Sequence, residues 1–465
     1  MKTLRKTLKW LGLTLLGLVL VVGLCWWLIP DEKLNPEAEK FVAQPQVPPS
    51  KNNAYFMIWG LPASPELDPH GVGQKIVAAH DRLLAAQKSL KNFKADSYLG
   101  ANPLTFPKDS QRICDVEKQN CLRIYQENRA VVESELEAKK VFVERYRKIR
   151  GYEEFSHAMS QVTVESPAPS WQPIMRMSDL VDGSIALRML SKGTQEAALG
   201  ELAADIGSWR RLLQANDWLI TQMVSVAVLH RKYRLASEIM NAYPDVARSY
   251  PALMKIITLP IAVGNANIVP SVKHEARNTM QLFWDMGQEK RLVTTTLTKD
   301  RTPNEFIESA LIRLSYQPNA SINAAYATFN EVVTLLAKSP KEIVAGHEAL
   351  LKSQADRNAL GPGVIFYNFV GRLVLSFDFP DYSPYAFRMH DLLGLSRLID
   401  LQRRIIEANI PAEKVVESLP AFGADLMDPY TEKPMQWDPA TRNLSFTLHG
   451  KRYANFGVVQ IAPVK

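Results

Sequence analysis

The chain has 465 residues, of which 46% are hydrophobic and 22% charged, a balance that excludes an intrinsically disordered protein. Its formal net charge of +7 is not a nucleic-acid signal, because Lys2, Arg5, Lys6 and Lys9 supply four of those charges and leave 51 basic against 48 acidic residues. No basic domain remains to neutralise a phosphate backbone, so no nucleic-acid partner is expected.

Residues 1–9 read as a cytoplasmic tail. From Trp10 to Pro30 the sequence WLGLTLLGLVLVVGLCWWLIP carries no charge. At about 1.5 Å per residue this stretch reaches about 30 Å, the thickness of bilayer hydrocarbon. Trp10 marks one end, and Trp26 and Trp27 the other, as expected at membrane interfaces. Cations precede the stretch, and Asp31, Glu32, Glu37 and Glu39 follow it, with Lys33 and Lys40 among them. The positive-inside bias predicts a cytoplasmic N-terminus, with the body in a bacterial periplasm. A cleaved signal peptide needs small residues at its processing site, and Cys-Trp-Trp-Leu-Ile-Pro has none. Leu24 before Cys25 likewise disagrees with a lipoprotein signal. The expectation is an uncleaved single-pass anchor through residues 10–30, in contact with the lipid bilayer of the inner membrane.

Residues 31–53, with Pro36, Pro45, Pro48 and Pro49, read as a partly extended linker that lifts the body off the membrane. NAYFMIWGL, 53–61, reads as a strand or a buried tether. Residues 54–165 form a mostly helical region. A helix is predicted over about 71–93, with Val77, His80, Leu84 and Leu90 near one face. Another is predicted over about 122–150, with Val132, Leu136, Val143 and Tyr146 as its apolar stripe. Between them lie Cys114 and Cys121. In a continuous helix they would stand about 10 Å apart, too far for a disulfide, but FPKDSQRICDVEKQNC has loop composition. A bridge closing that loop in an oxidising compartment and two free buried cysteines are the two readings. RYRKIR, with Arg145, Arg147, Lys148 and Arg150, reads as the solvated C-terminal end of a helix.

SPAPSWQP breaks the chain at 166–173, ahead of a helical-hairpin body over 174–418. Ser178 is expected to cap a helix that Gly193 ends. Leu199, Leu202, Ile206, Trp209 and Leu213 are spaced 3, 4, 3, 4, a core seam against another helix. MVSVAVL, 223–229, is apolar on every side and reads as central in the bundle. Thr302-Pro303-Asn304-Glu305 and Ser339-Pro340-Lys341-Glu342 both match the capping box, with proline at the first helical position. Their 37-residue spacing is near that of a TPR-like solenoid, whose side-chain signature is absent, so loose hairpins are expected. GPG at 361–363 opens the apolar run VIFYNFVGRLVLSF, and a long helix is predicted from Ser383-Pro384 to before Asn409. Residues 419–465 form a C-terminal turn and β unit. PMQW, the alternation of Leu444, Phe446 and Leu448, and RYANFGVVQIA read as a small antiparallel sheet. The fold class is therefore mainly α: an anchor helix, a multi-helix body and a small C-terminal antiparallel β unit.

Signatures of catalysis are scarce. The sequence contains no G-x-S-x-G elbow, phosphate-cradling glycine loop, H-E-x-x-H or EF-hand pattern. C-x6-C without histidines at ligand spacing gives no zinc site, and no metal or cofactor is expected. His80-Asp81, His347-Glu348 and His390-Asp391 are adjacent in sequence, but helix neighbours point about 100° apart and are not expected to pair. His390, Asp391, Arg397 and Asp400 make the densest polar group on a late helix. They are the candidate cluster, against the reading of a solvated helical face. Glu308-Ser309 resembles the Glu-Ser pair of lytic transglycosylases, although that family's Gly-Leu-Met-Gln and Ala-Tyr-Asn-Ala-Gly blocks are missing.

DPYTEKPMQWD, 428–438, follows the Met-His-Asp helix and precedes the alternating strand. It is similar to the Asp-Pro, Gly-Lys-Pro turn of type II secretion pseudopilins. Here Glu432 stands in place of the glycine, and the prepilin N-terminus is absent. The segment of about sixty residues resembles a family of bacterial inner-membrane-anchored, mostly helical periplasmic proteins to which no activity is assigned. Pro429 favours a turn, Tyr430 to Lys433 are expected at its exposed tip, and Met435 with Trp437 is expected to cover the end of the core. The functional expectation is an anchored interaction or scaffold protein that binds another envelope protein. An envelope hydrolase acting on peptidoglycan or lipid is the alternative, and an enzyme is the less favoured reading.

Overall fold

The computed structural model describes residues 2–28, 30–43, 50–86, 88, 90–106, 112–160, 162, 166–214, 218–288, 315–359, 361, 366–377, 381–450 and 457–462. The chain divides into two compact units. One comprises Met1–Gln46, Lys273–Leu335 and Gly346–Asp381; the other comprises Val47–Val272, Leu336–Ala345 and Tyr382–Lys465. The protein is mainly helical with one small antiparallel sheet, as the sequence predicts. The first capping box at Thr302, the Glu308-Ser309 pair and the side chains of Cys25, Trp26 and Trp27 lie outside the described residues.

The first unit begins with α1 (Lys2–Leu28), whose Trp10, Leu11, Leu13, Leu16, Leu18, Leu20 and Leu24 are all exposed. Among the described residues, no single helix is long and apolar enough to cross a membrane; the apolar run of α1 is described as Trp10–Leu24. The described start of the predicted linker, residues 31–43, is bonded within this unit, while Pro45, Pro48 and Pro49 lie outside the described residues. Asp31 lies at the start of α14 (Pro318–Leu336), where its carboxylate accepts from the Asn319 and Ala320 N–H groups at 2.8 and 3.0 Å. Those N–H groups have no partner inside their own helix, and a carboxylate there also suits the helix dipole. Asn323 adds bonds to Glu32 and Lys33, and α2 (Pro36–Ala43) buries Ala38. Also in this unit, Tyr316 donates to the Phe283 carbonyl at 2.7 Å.

The second unit opens on α3 (Ala54–Gly60). Residues 53–61 are thus helical, not a strand. Asn53 caps the helix by accepting from Tyr55 N–H at 3.0 Å, and every residue from Ala54 to Gly60 is buried. A helix buried on all sides has no amphipathic period, which is why the sequence pattern misleads here. α3 lies backbone to backbone on α4 (Pro69–Ala85), and a Cβ at Gly73 would collide with the Phe56 carbonyl. The helix expected over 71–93 stops at Ala85.

The helix expected over 122–150 is three shorter ones: α5 (Cys121–Glu127), α6 (Arg129–Ala138) and α7 (Lys140–Lys148). Breaks fall at Asn128 and Lys139, which leave helical geometry, while Val132, Val143 and Tyr146 are buried as predicted. α8 (Gln172–Arg188) starts before Ser178, which lies buried inside it. α9 (Lys192–Gln214) contains Gly193 in its first turn, so neither residue punctuates the chain as expected. The seam of α9 holds: Leu199, Leu202, Ile206, Trp209 and Leu213 are each at most 1% exposed. Each such aliphatic side chain contributes roughly 1.5–3 kcal/mol of burial. α10 (Leu219–Ala242) packs on α8 and α9 and buries Val224, Val226, Val228 and Leu229.

After α11 (Asp245–Ser249) and α12 (Pro251–Thr258), the chain runs into α13 (Val269–Gln288). Pro251–Thr258 and Val263–Gly287 together reach membrane-span length and composition as a pair bent by 57°. Met254, Ile257, Val272, Met280 and Phe283 on them are fully buried, as in core helices. Ser339 and Glu342 make the predicted reciprocal cap at the start of α15 (Pro340–Asn358), with bonds of 3.0 and 3.4 Å. α16 (Phe369–Phe377) is the described part of the run after GPG.

The long late helix is α17 (Ser383–Glu407), followed by the short α18 (Val415–Ser418). Strands β1 (Gln436–Asp438), β2 (Asn443–Ser445) and β3 (Val458–Gln460) form the sheet in the order β1-β2-β3, all antiparallel. Leu444 faces Trp437 on one side and Val459 on the other. Gly394 of α17 accommodates the Phe446 ring, where a Cβ would overlap it.

Candidate functional site

The four candidate residues of α17 are buried, not a solvated face: His390, Asp391, Arg397 and Asp400 are between 2% and 7% exposed. They do not converge on one site. Asp391 receives the Tyr430 hydroxyl at 2.7 Å and the Gly450 and His449 N–H groups at 2.8 and 3.3 Å. Burial still pushes its carboxyl up to about 6. Arg397 donates to the Met427 carbonyl at 2.6 Å. Both therefore tie α17 to the C-terminal segment. His390 and Asp400 turn elsewhere. His390 is buried, and burial lowers its pKa to about 4, so the ring is neutral at physiological pH. Asp400 accepts from Thr258 at 3.0 Å, from Arg403 at 2.6 Å and from Arg404 at 2.7 Å. Through Thr258, Asp400 holds the end of α12.

DPYTEKPMQWD behaves as a joint. Asp428 accepts from the Tyr430 and Thr431 N–H groups, and its own N–H donates to the Lys433 carbonyl at 2.8 Å. Glu432 has φ +58°, the left-handed backbone that the glycine of the similar pseudopilin turn would adopt more readily. Tyr430 is not at the exposed tip as expected but buried against Asp391; Thr431, Glu432 and Lys433 are exposed. Met435 is buried, and Trp437, half-buried, donates to the Ala412 carbonyl at 3.0 Å.

Sequence reasoning missed the strongest charge centre. Lys232 of α10 is fully buried, with its ammonium 2.5 Å from Asp182 of α8 and 2.7 Å from Asp205 of α9. Arg150 reaches Asp205 at 3.2 Å, and the Tyr146 hydroxyl lies 3.3 Å from the same carboxylate. Arg231 pairs with Asp179. Burial works against the charge on Lys232, yet Asp182 and Asp205 hold its pKa above the usual lysine value. Burial raises Asp182 to about 6, so acid and base are both charged at neutral pH. Burial likewise opposes the charge of Glu201, but Arg147, Arg150 and Arg188 hold its carboxyl at about 2. The available signal was a pattern: Asp182, Asp205 and Lys232 each interrupt an apolar helix face.

The basic run RYRKIR is spent on this framework. Arg145, only 3% exposed, donates to the carbonyls of Leu61, Ala63 and Ser64, and Arg147 pairs with Glu201 at 2.8 Å. The reading of a solvated helix end is therefore corrected for Arg145, Arg147 and Arg150. Cys114 and Cys121 are joined by a disulfide, with Cα atoms 5.6 Å apart, and the bridge closes the loop ahead of α5.

One adjacent His-Asp pair does interact, against expectation. His80 Nδ1 lies 3.0 Å from Asp81 Oδ1, and His80 Nε2 lies 2.9 Å from Ser166 Oγ. The atoms follow the order of a Ser-His-Asp relay. The imidazole is fully buried, Ser166 is half-buried, and Asp81 also accepts from the Ser160 N–H at 3.1 Å. Pro167 follows Ser166 and removes the N–H that commonly helps form an oxyanion hole. His347 instead meets Asp381 at 3.2 Å.

Two recesses stand out in the second unit. A polar cavity of about 230 Å³ lies among Asn120, Arg234, Ser237, Glu238, Asn241 and Gln460. An open groove of about 330 Å³ runs along α6 and α7, lined by Leu136 and Val143, by the acids Glu133, Glu137 and Glu144 and by the cations Lys140 and Arg147. Neither contains any of the α17 candidates. Among the described residues no group of histidine, cysteine and acidic side chains is arranged to hold a metal. Compared with known proteins, the chain matches no family model, no curated protein and no solved structure.

Proposed function

We propose that this is a single-pass, membrane-anchored protein whose body lies on the periplasmic side of a bacterial inner membrane and binds another envelope protein. The observation that carries the binding half is the open groove of α6 and α7, where Leu136 and Val143 lie among three acids, Glu133, Glu137 and Glu144, and two cations, Lys140 and Arg147. Such a groove suits a basic or amphipathic segment of a partner. α8, α9 and α10 follow one another as loose, TPR-like hairpins that would keep the groove rigid. The anchor half is supported by α1, whose described apolar side chains from Trp10 to Leu24 are mostly exposed. A disulfide in the body agrees with export. Crosslinking and pull-down of the anchored protein from native cells test the binding half. One partner protein should be captured, and its capture should fall when Glu133, Glu137 and Glu144 are changed together to Lys. Unchanged capture by that variant contradicts the groove.

The Ser166–His80–Asp81 arrangement favours a second reading, an envelope hydrolase with a serine nucleophile. A fluorophosphonate probe should then label the wild type but not Ser166→Ala. An unlabelled wild type removes this reading.

A further inference from the structure

From Val246 to His274 the chain has no Asp or Glu, although acids make up about one residue in ten overall (48 of 465). The charges present are Arg248, Lys255 and Lys273. Within this stretch, the connection between α12 and α13 turns Ile256, Leu259 and Val263 outward, each about half exposed. The backbone beneath them is held from inside. Buried Arg210 donates to the Ile256 and Ile257 carbonyls at 3.0 and 3.1 Å and also to that of Leu259. Ser396 of α17 accepts from the Ile261 N–H at 3.0 Å, and Thr258 donates to Asp400. Polar groups of the core thus fix a corner that exposes Ile256, Leu259 and Val263, with the exposed cation Lys255 next to Ile256 in sequence.

We infer that this corner, with Leu259 and Val263 at its tip, dips into the interface of an anionic lipid bilayer. An apolar tip in a stretch of sequence that carries cations and no acids matches the chemistry of a membrane surface, where anionic headgroups attract Lys and apolar side chains enter the acyl boundary. Rigid support lowers the ordering cost of insertion. The inference rests on the anchored reading above, because α1 keeps the body close to a bilayer. Ser396 and Asp400 are then positioning residues for a membrane contact.

The test uses the full chain with Cys25→Ser and Val263→Cys, labelled with an environment-sensitive fluorophore. The protein is reconstituted in vesicles of phosphatidylethanolamine and phosphatidylglycerol that contain chain-brominated lipid. A label at Lys192→Cys, on an exposed helix start, is the control. The expected result is at least twofold quenching at position 263, none at 192, and loss of quenching on adding Leu259→Asp. Resistance to carbonate extraction reads the anchor separately. Carbonate-resistant protein without quenching at 263 overturns the inference and leaves the anchor standing. Quenching at 263 in carbonate-extracted protein supports the inference and sinks the anchor. Concentration-dependent shielding of the label without lipid quenching assigns the corner to a second copy of the chain and overturns the inference.

Discussion

The Tyr430 hydroxyl donates to Asp391 across 2.7 Å, joining the segment that leads into the small sheet to the long helix α17. Both residues are buried, and the Phe387 carbonyl lies 3.1 Å from the same hydroxyl. Asp391 also receives two N–H groups from residues 449 and 450. One carboxylate therefore holds the segment before β1 and the segment after β2.

This arrangement has a defined pH dependence. A carboxyl raised to about 6 in the folded state contributes its stability below the unfolded value near 3.9 and loses it as pH rises through 6. The stability difference between the wild type and Asp391→Asn should shrink by on the order of 2–3 kcal/mol from pH 4 to pH 6.5. Urea unfolding of both proteins at the two pH values checks this, and a difference constant with pH would contradict it.

Lys232 neutralises two buried carboxylates, so removing it leaves Asp182 and Asp205 without their main partner. Lys232→Met should cost about 3–5 kcal/mol, the range for breaking a buried pair. Adding Asp182→Asn and Asp205→Asn should recover part of that loss. Denaturant midpoints of the single and triple variants decide the point, and an additive further loss in the triple variant would refute the pairing.

The Cys114–Cys121 bridge closes a short loop against the start of α5. Loop-closure entropy gives it about 2.5 kcal/mol. Cys114→Ser with Cys121→Ser should lower stability by about that amount, and reductant should lower the wild type equally and leave the double variant unchanged. Thermal melts with and without reductant measure both effects.

Trp437 packs only partly but donates to the Ala412 carbonyl. Trp437→Ala should cost about 1–3 kcal/mol, less than a fully buried tryptophan. The variant should keep partner capture. Capture lost in a protein with unchanged melting would make the joint a binding element.

Where a segment has one buried face, its role was readable. The α9 seam from Leu199 to Leu213, the Ser339-Glu342 cap and the alternation around Leu444 all appear where the periodicity puts them. α3 was misread because burial on every side erases the period, and the long helix over 122–150 because Asn128 and Lys139 break it without proline or glycine. The candidate cluster on α17 was visible as polar residues, but not its burial. Exposure follows from which helices cover a face, and the partners Thr258, Met427 and Tyr430 are remote in sequence. The same distance hid Lys232 with its two acids, and Ser166 with His80.

The central claim is that an N-terminal anchor places the body across the inner membrane. A reporter enzyme active only in the periplasm, fused after Lys465 of the full chain, tests it most directly. High reporter activity in intact cells, with the fusion resistant to carbonate extraction, is the predicted result. An inactive periplasmic reporter, with a cytoplasm-dependent reporter active at the same position, would contradict it.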